Sequence, residues 1–238
     1  PVSGVDIKLD WNGVTDKLPE GVRVIFYPKS AEGRKIDTYL SVRGGKVKVP
    51  PGRYSVVAYN YDTETVQIRG EEAYETIEAF TGYCNGLGIA GTEKMVWGPD
   101  PLYVVQINDL HIANSEEELL LDWKPKLVVK TYSFRIKVEG LEYVSSIVGS
   151  VEGMAGCYCL GRCCGMMNDA PIYFEAQGCS GEVTGSFTAF GLPEGAMSRA
   201  SLAIKFTLAF VKVDNTVQKI EVDITDVIVN SERGEGGG

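Results

Sequence analysis

Residues 201–210 read SLAIKFTLAF, with a large apolar side chain at every second position: Leu202, Ile204, Phe206, Leu208 and Phe210. Successive side chains of an extended chain point to opposite faces, so this spacing supplies one face for a core and leaves Ala203, Lys205 and Thr207 on the other. The same period recurs on either side. VDIKLDW (5–11) alternates Val5, Ile7, Leu9 and Trp11 with Asp6, Lys8 and Asp10. SFRIKVEG (133–140) alternates Phe134, Ile136 and Val138 with Arg135, Lys137 and Glu139, and KIEVDIT (219–225) repeats the scheme with Ile220, Val222 and Ile224. Alternation of this kind marks antiparallel strands with one face in water. It predicts strands at 5–11, 22–27, 46–49, 54–60, 132–138, 183–190, 201–211 and 219–225.

Turn chemistry separates these runs. Gly44 and Gly45 stand between TYLSVR and KVKVP, a hairpin signal because glycine accepts positive φ. PPGRY puts Pro51 and Gly52 at the centre of an expected type II turn. Two short stretches read as helix, strand or loop: EEAYETIEAF (71–80), with Ala73, Ile77 and Phe80 on one helical face, and NSEEELLLDW (114–123), with Asn114 or Ser115 as cap. Short strands with few long helices indicate an all-β protein built of β-sandwiches. The best boundary is DWKPKLVVK (122–130), where Pro125 and two flanking lysines follow an acidic run. Residues 1–125 and 126–231 are read as two sandwiches. Residues 232–238, which include GEGGG, are read as a disordered tail with little to bury.

The chain has 238 residues, 44% of them hydrophobic, enough for a sizeable core in each half. A net charge of −9 repels phosphate backbones and anionic lipid, which argues against nucleic acid as partner. No apolar run reaches the roughly 20 residues of a membrane helix. PVSGVDIKLDW lacks the basic and apolar regions of a leader, so a removed signal or lipid anchor is expected upstream of Pro1 if there is one.

Catalytic motifs are scarce. His111, in INDLHIAN, is the sole histidine and has no nucleophile motif beside it. GxSxG, HExxH and P-loop patterns are missing, and GLGIAG (86–91) resembles a phosphate loop in composition only. GMAGCYCLGRCCGMM (153–167) holds Cys157, Cys159, Cys163 and Cys164, while Cys84 and Cys179 stand apart. CxC and vicinal CC are not the spacing of a zinc knuckle or of a redox CxxC. The reading is therefore a connection between strands, with Cys157 or Cys159 joined to Cys163 or Cys164 as an optional disulfide. No catalytic, cofactor-binding or metal-binding residue is assigned, no cofactor is expected, and the protein is read as not an enzyme. Trp97, in VWGPDP, is the best exposed aromatic for stacking on a sugar, whereas Trp11 falls in the core phase of its strand.

LPEGVRVIFYP, GGKVKVPPGRYSVVAYNYDTETVQIRG and YETIEAFTG resemble the N-terminal half of the fimbrillin-like surface lipoproteins of Bacteroidales, the FimB/Mfa group of fimbrial anchor and accessory subunits. The hairpin core of that resemblance is Pro51, Gly52, Arg53, Tyr54, Tyr59 and Asn60. GSVEGMAG (149–156), GSFTAFGLP (185–193) and VDITDVI (222–228) extend it over nearly the whole chain. The resemblance implies two tandem transthyretin-like Greek-key β-sandwiches and an outer-membrane, surface-exposed location through a lipidated cysteine upstream of Pro1. It also implies adhesion or fimbria assembly as the role, with other fimbrial subunits and a host or microbial surface ligand as partners. Partner contact is expected by β-strand addition, with Lys219–Val229 as the donor or as the strand beside the acceptor edge. A carbohydrate-binding surface lipoprotein is the alternative. The cysteine cluster departs from the family pattern, where a polar loop is usual.

Overall fold

The structure, a computed structural model, describes residues 3–84 and 94–235. The first half of the chain supplies β1 (Ser3–Leu9), β2 (Gly21–Pro28), β3 (Ile36–Ser41), β4 (Gly44–Val49), β5 (Gly52–Asn60), β6 (Val66–Arg69), β7 (Glu78–Thr81), the short β8 (Tyr83–Cys84) and β9 (Met95–Trp97), β10 (Tyr103–Ile112), β11 (Leu119–Trp123) and β12 (Lys126–Leu127). The second half supplies β13 (Lys130–Lys137), β14 (Val144–Glu152), β15 (Ala155–Cys159), β16 (Cys164–Met167), β17 (Ile172–Cys179), β18 (Glu182–Ala189), β19 (Lys205–Lys212), β20 (Val217–Asp223) and a helix, α1 (Thr225–Glu235). The protein is all-β, as the period-two spacing predicts.

The described residues separate into two compact units, one drawn from 1–79, 100–128 and 159–163, the other from 80–99, 129–158 and 164–238. This partition differs from a simple cut at residue 125. β12 stays with the first unit because Leu127 pairs with Tyr103 of β10. β9 goes to the second because it runs parallel to β17, with Val96 opposite Ile172 and Trp97 opposite Tyr173. Residues 159–163 count with the first, where the Leu160 amide donates to Ile77 and Gln106 Nε2 to the Gly161 carbonyl. Of the expected disordered tail, residues 232–235 are helical in α1, where Glu232 finds partners on β13, and residues 236–238 lie outside the described residues.

In the first unit the strands follow the order β11-β1-β4-β3-β2-β5-β10-β12. β3 and β4 share a single register pair, Ser41 with Gly44, and the path folds over there into two layers. Val5, Ile7, Leu9, Val47 and Val49 of one layer pack against Val22, Val24, Phe26, Val56 and Ala58 of the other. Each such side chain contributes about 1.5–3 kcal/mol on leaving water. The β3–β4 turn is centred on Val42 and Arg43, one step before the expected glycine pair. Gly44 is the first residue after it, at φ 109°, where an added Cβ would lie 1.9 Å from the Ile7 carbonyl oxygen. Glycine is needed there for close approach to β1 as well as for its dihedral. PPGRY is likewise not a hairpin turn, since β4 and β5 are not neighbours in the sheet.

NSEEELLLDW begins as a loop and becomes strand from Leu119 to Trp123. β11 lies parallel to β1, from Val5 opposite Leu119 to Leu9 opposite Trp123, and satisfies backbone groups that a helix there would leave open. EEAYETIEAF forms turns and then enters β7. β1 ends at Leu9, so Trp11 sits beyond the strand, its indole N–H donating to the Val42 carbonyl and its ring edge-on to Tyr103 at 5.4 Å.

Asp100 fastens the loop after β5. Its carboxylate accepts from the Glu64, Thr65 and Val66 amides and from the Thr65 hydroxyl. Burial opposes the charge, but these donors outweigh it and hold the carboxyl below its usual range. The folded state thus binds this proton less tightly than the unfolded chain. The stability involved is complete above the ordinary aspartate pKa of about 3.9 and is lost as pH falls through the depressed value. Asp100→Ala is expected to lower unfolding free energy by about 2 kcal/mol at pH 7. The deficit should shrink in acid; a deficit equal at pH 7 and pH 2.5 in urea titrations would contradict this account.

The second unit has the order β13-β18-β17-β14-β19-β20, antiparallel throughout. β13 folds over the others, so that Phe134 meets Phe206 of β19 at 4.8 Å and Phe174 of β17 at 5.4 Å. Phe187 joins them at 5.6 Å from Phe174. SLAIKFTLAF enters the sheet only at Lys205. Ile204 is fully buried but reaches the core from a turn, its amide donating to the Thr225 hydroxyl.

Candidate functional site

The residues singled out by chemistry are not drawn together. His111 lies exposed on β10 opposite Arg53. GLGIAG (86–91) lies outside the described residues. The cysteines are more strand than loop: Cys157 and Cys159 are buried within β15, Cys164 opens β16, and exposed Cys163 turns between them at φ 53°. Among the described residues no three His, Cys, Asp or Glu side chains are grouped to hold a metal. Trp97 is 39% exposed, with its ring edge-on to Tyr173 at 5.6 Å.

A cluster of titratable groups in the first unit is closed on itself. The Arg23 guanidinium donates to Asp37, Glu71 and the Tyr59 hydroxyl. Asp37 above all raises the Arg23 pKa, and burial pushes Tyr59 up to about 12. At neutral pH these two groups hold their protons, which makes the cluster a structural tie between β2, β3 and β5.

What the second unit leaves open is an edge. β13 pairs with β18 on one side and β20 with β19 on one side; the other sides of both strands have no strand partner among the described residues. Central strands bury their core-facing residues fully: Val183 is 0% exposed, Phe187 4% and Leu208 1%. On β13 the equivalent Tyr132, Phe134 and Ile136 are only half-buried, although they touch the same core. On β20, Ile220 and Val222 are exposed. Two cavities follow one another along the gap between these strands. One, of about 450 Å³, is lined by Phe134, Ile136, Phe187, Phe206 and Val222 and is flanked by α1. The other, of about 390 Å³, is lined by Val138, Tyr143, Phe210, Val213 and Ile220. Tyr143 and Val213 are well exposed beside it, and Val227 beside the first. An apolar trough between two strand edges offers backbone hydrogen bonds on both sides and side-chain pockets below, the requirements for receiving an extended segment. Sequence reasoning found β20 but missed β13 as its counterpart, because only the tertiary fold brings residues 130–138 opposite 217–223.

This fold and edge define a class: all-β proteins of two units whose distinctive surface is an open strand edge. A domain family described only as a domain of unknown function, DUF5119, matches residues 1–175. A Bacteroides ovatus protein named as a proposed fimbrium anchoring subunit, Fim4B, is 58% identical over 252 residues, spanning 100% of this chain and 76% of that one. A solved structure of a proposed adhesin from the same species superposes with a TM-score of 0.89 at 58% identity, over 97% of this chain and 85% of the other. The fimbrial anchor protein Mfa2 of Porphyromonas gingivalis shares the fold, with a TM-score of 0.60 at 11% identity over 95% of this chain and 83% of its own. The chain therefore belongs to the DUF5119 family and is a homologue of Fim4B, in keeping with the fimbrillin-like resemblance read from its sequence.

Proposed function

We propose that the protein is a non-enzymatic, cell-surface fimbrial anchor or accessory subunit that holds another subunit by β-strand addition between β13 and β20. The observation that carries this reading is the apolar gap between those two edges. The naming of the 58% identical relative supports the fimbrial setting. β20 is already paired with β19 over seven residues and the chain turns helical at Thr225, so Lys219–Val229 serves as the strand beside the acceptor gap and not as a donor. The partner's strand bonds along β13 or β20 and places every second side chain over the phenylalanine core beneath the gap. Outer-membrane attachment through a lipid upstream of Pro1 completes the reading.

Because the gap is apolar, binding should depend weakly on salt despite the −9 net charge. The test is Ile220→Asp with Val222→Asp, two exposed positions whose exchange spares the core. Incorporation into surface fimbriae and capture of co-expressed fimbrial subunits should fall by at least roughly tenfold. Undiminished incorporation in a folded double variant would remove the site. The carbohydrate-binding alternative rests on exposed Trp97 and would replace this proposal if the protein captured no subunit yet bound a glycan with loss on Trp97→Ala.

A further inference from the structure

α1 sits where a strand bound along β13 would have to run. Ile224, Val227, Ile228 and Ser231 line the same cavity as Phe134 and Val222. Ile228, 5% exposed, belongs to the phenylalanine core. Glu232 accepts from Lys130 Nζ at 2.7 Å and from the Tyr132 hydroxyl at 3.1 Å, which ties the helix to the first turn of the β13 edge. At the other end, the Thr225 amide and hydroxyl both donate to Asp223 and hold its carboxyl below the usual range.

The attachment is slight for a helix. Among the described side chains of α1 only Ile228 is buried, and Val227 is 69% exposed. The segment is also a poor helix former. TDVIVNSERGE contains four β-branched residues, Thr225, Val227, Ile228 and Val229, and a glycine at 234. An isolated helix of this length is marginal even with good formers. The sequence itself favours extension at the start of the segment, since the alternation of β20 continues through Ile224 and the next residues are rich in β-branched side chains.

We propose that α1 is a strap that occupies one end of the β13–β20 gap and must be displaced when a partner strand enters. The inference rests on the strand-addition reading and adds its regulation. With α1 in place, the open gap is shortened at the end near Lys130 and the empty subunit is protected from unintended pairing. A true partner gains the Ile228 site and the upper part of β13 only by displacing the helix.

The test uses the full chain and a fluorescent eleven-residue peptide with valine or isoleucine at alternate positions and lysine or threonine between. Asn230→Ala with Gly234→Ala strengthens the helix outside the gap: Asn230 is exposed and a Cβ at Gly234 meets open space. Glu232→Gln weakens the tie to Lys130, and Ile228→Ala removes the buried anchor. Peptide association should slow by roughly five- to tenfold in the strengthened variant and quicken by a similar factor in Ile228→Ala, less in Glu232→Gln. Amide exchange of residues 226–233 should rise on peptide binding while β19 stays protected. If the peptide binds with equal rates across the variants and α1 stays protected, the strap is wrong and strand addition stands. If no form binds the peptide, both readings fall. Should Ile228→Ala not fold, the strengthened variant still decides, because it predicts a change of opposite sign in a more stable protein.

Discussion

Gly149→Ala is expected to destabilise the protein by about 3 kcal/mol, one of the largest effects of any single methyl group in this chain. Gly149 lies in the middle of β14, and a Cβ built there would stand 2.2 Å from two ring carbons of Phe174. In a loose site the ring would move aside. Here it is held by Phe134 at 5.4 Å, Phe187 at 5.6 Å and Phe206 at 5.2 Å, and interiors packed to crystal density do not yield cheaply. For a chain of this size the cost corresponds to a fall of roughly 6–12 °C in thermal midpoint. The double variant Gly149→Ala/Phe174→Leu should recover part of the loss, a coupling that a backbone effect of alanine alone would not show. A midpoint within about 1 °C of wild type for Gly149→Ala would refute the account.

Asn60→Leu should cost a similar amount, about 3 kcal/mol, by a different route. Asn60 is 4% exposed at the end of β5. Its side-chain oxygen accepts from the Tyr103 amide at 2.7 Å, and its Nδ2 donates to the Pro101 carbonyl at 3.1 Å and to Asp62 at 3.2 Å. Leucine has nearly the same shape and none of this capacity. It leaves a buried amide without an acceptor and a carbonyl without a donor, and each orphaned group costs about 1–3 kcal/mol. Urea unfolding should show a lower midpoint at unchanged slope, the sign of lost stability without a change in exposed surface. A loss under about 0.5 kcal/mol would mean that the bonds are replaced by water and that the site is less enclosed than its exposure indicates.

These two residues show how much of the fold the sequence discloses. Both fall in stretches that carry the family resemblance, Asn60 after Tyr59 in PPGRYSVVAYN and Gly149 at the head of GSVEGMAG, yet neither role is visible there. Period-two alternation identifies β1, β5, β13 and β19 because side-chain direction is a local property. Partnership is not local. Nothing near Leu119 indicates that β11 lies parallel to Val5, and the leucine run stays open between helix, strand and loop until that partner is known. The same limit hid the gap between β13 and β20, two edges nearly ninety positions apart in the chain. α1 was misread for the opposite reason: its residues prefer extension, and tertiary contacts of Ile228 and Glu232 override them. The cysteine cluster drew attention by composition, but Cys157 and Cys159 belong to β15, Cys164 opens β16 and Cys163 lies in the turn between them.

β1 is bonded on both flanks, antiparallel to β4 from Ser3 to Lys8 and parallel to β11 from Val5 to Leu9. The ladder continues past its end, with the Leu9 amide donating to Arg43 and the Asp10 amide to Trp123. Inter-strand hydrogen bonds lie across the strand direction. A pull entering the chain at Ser3 and directed along β1 therefore loads both rows sideways and together, and the strand resists as a riveted plate does in shear. The same load applied across the sheet would open one row at a time, like a zip. The placement of β1 between two bonded partners gives the first unit the first arrangement along that strand.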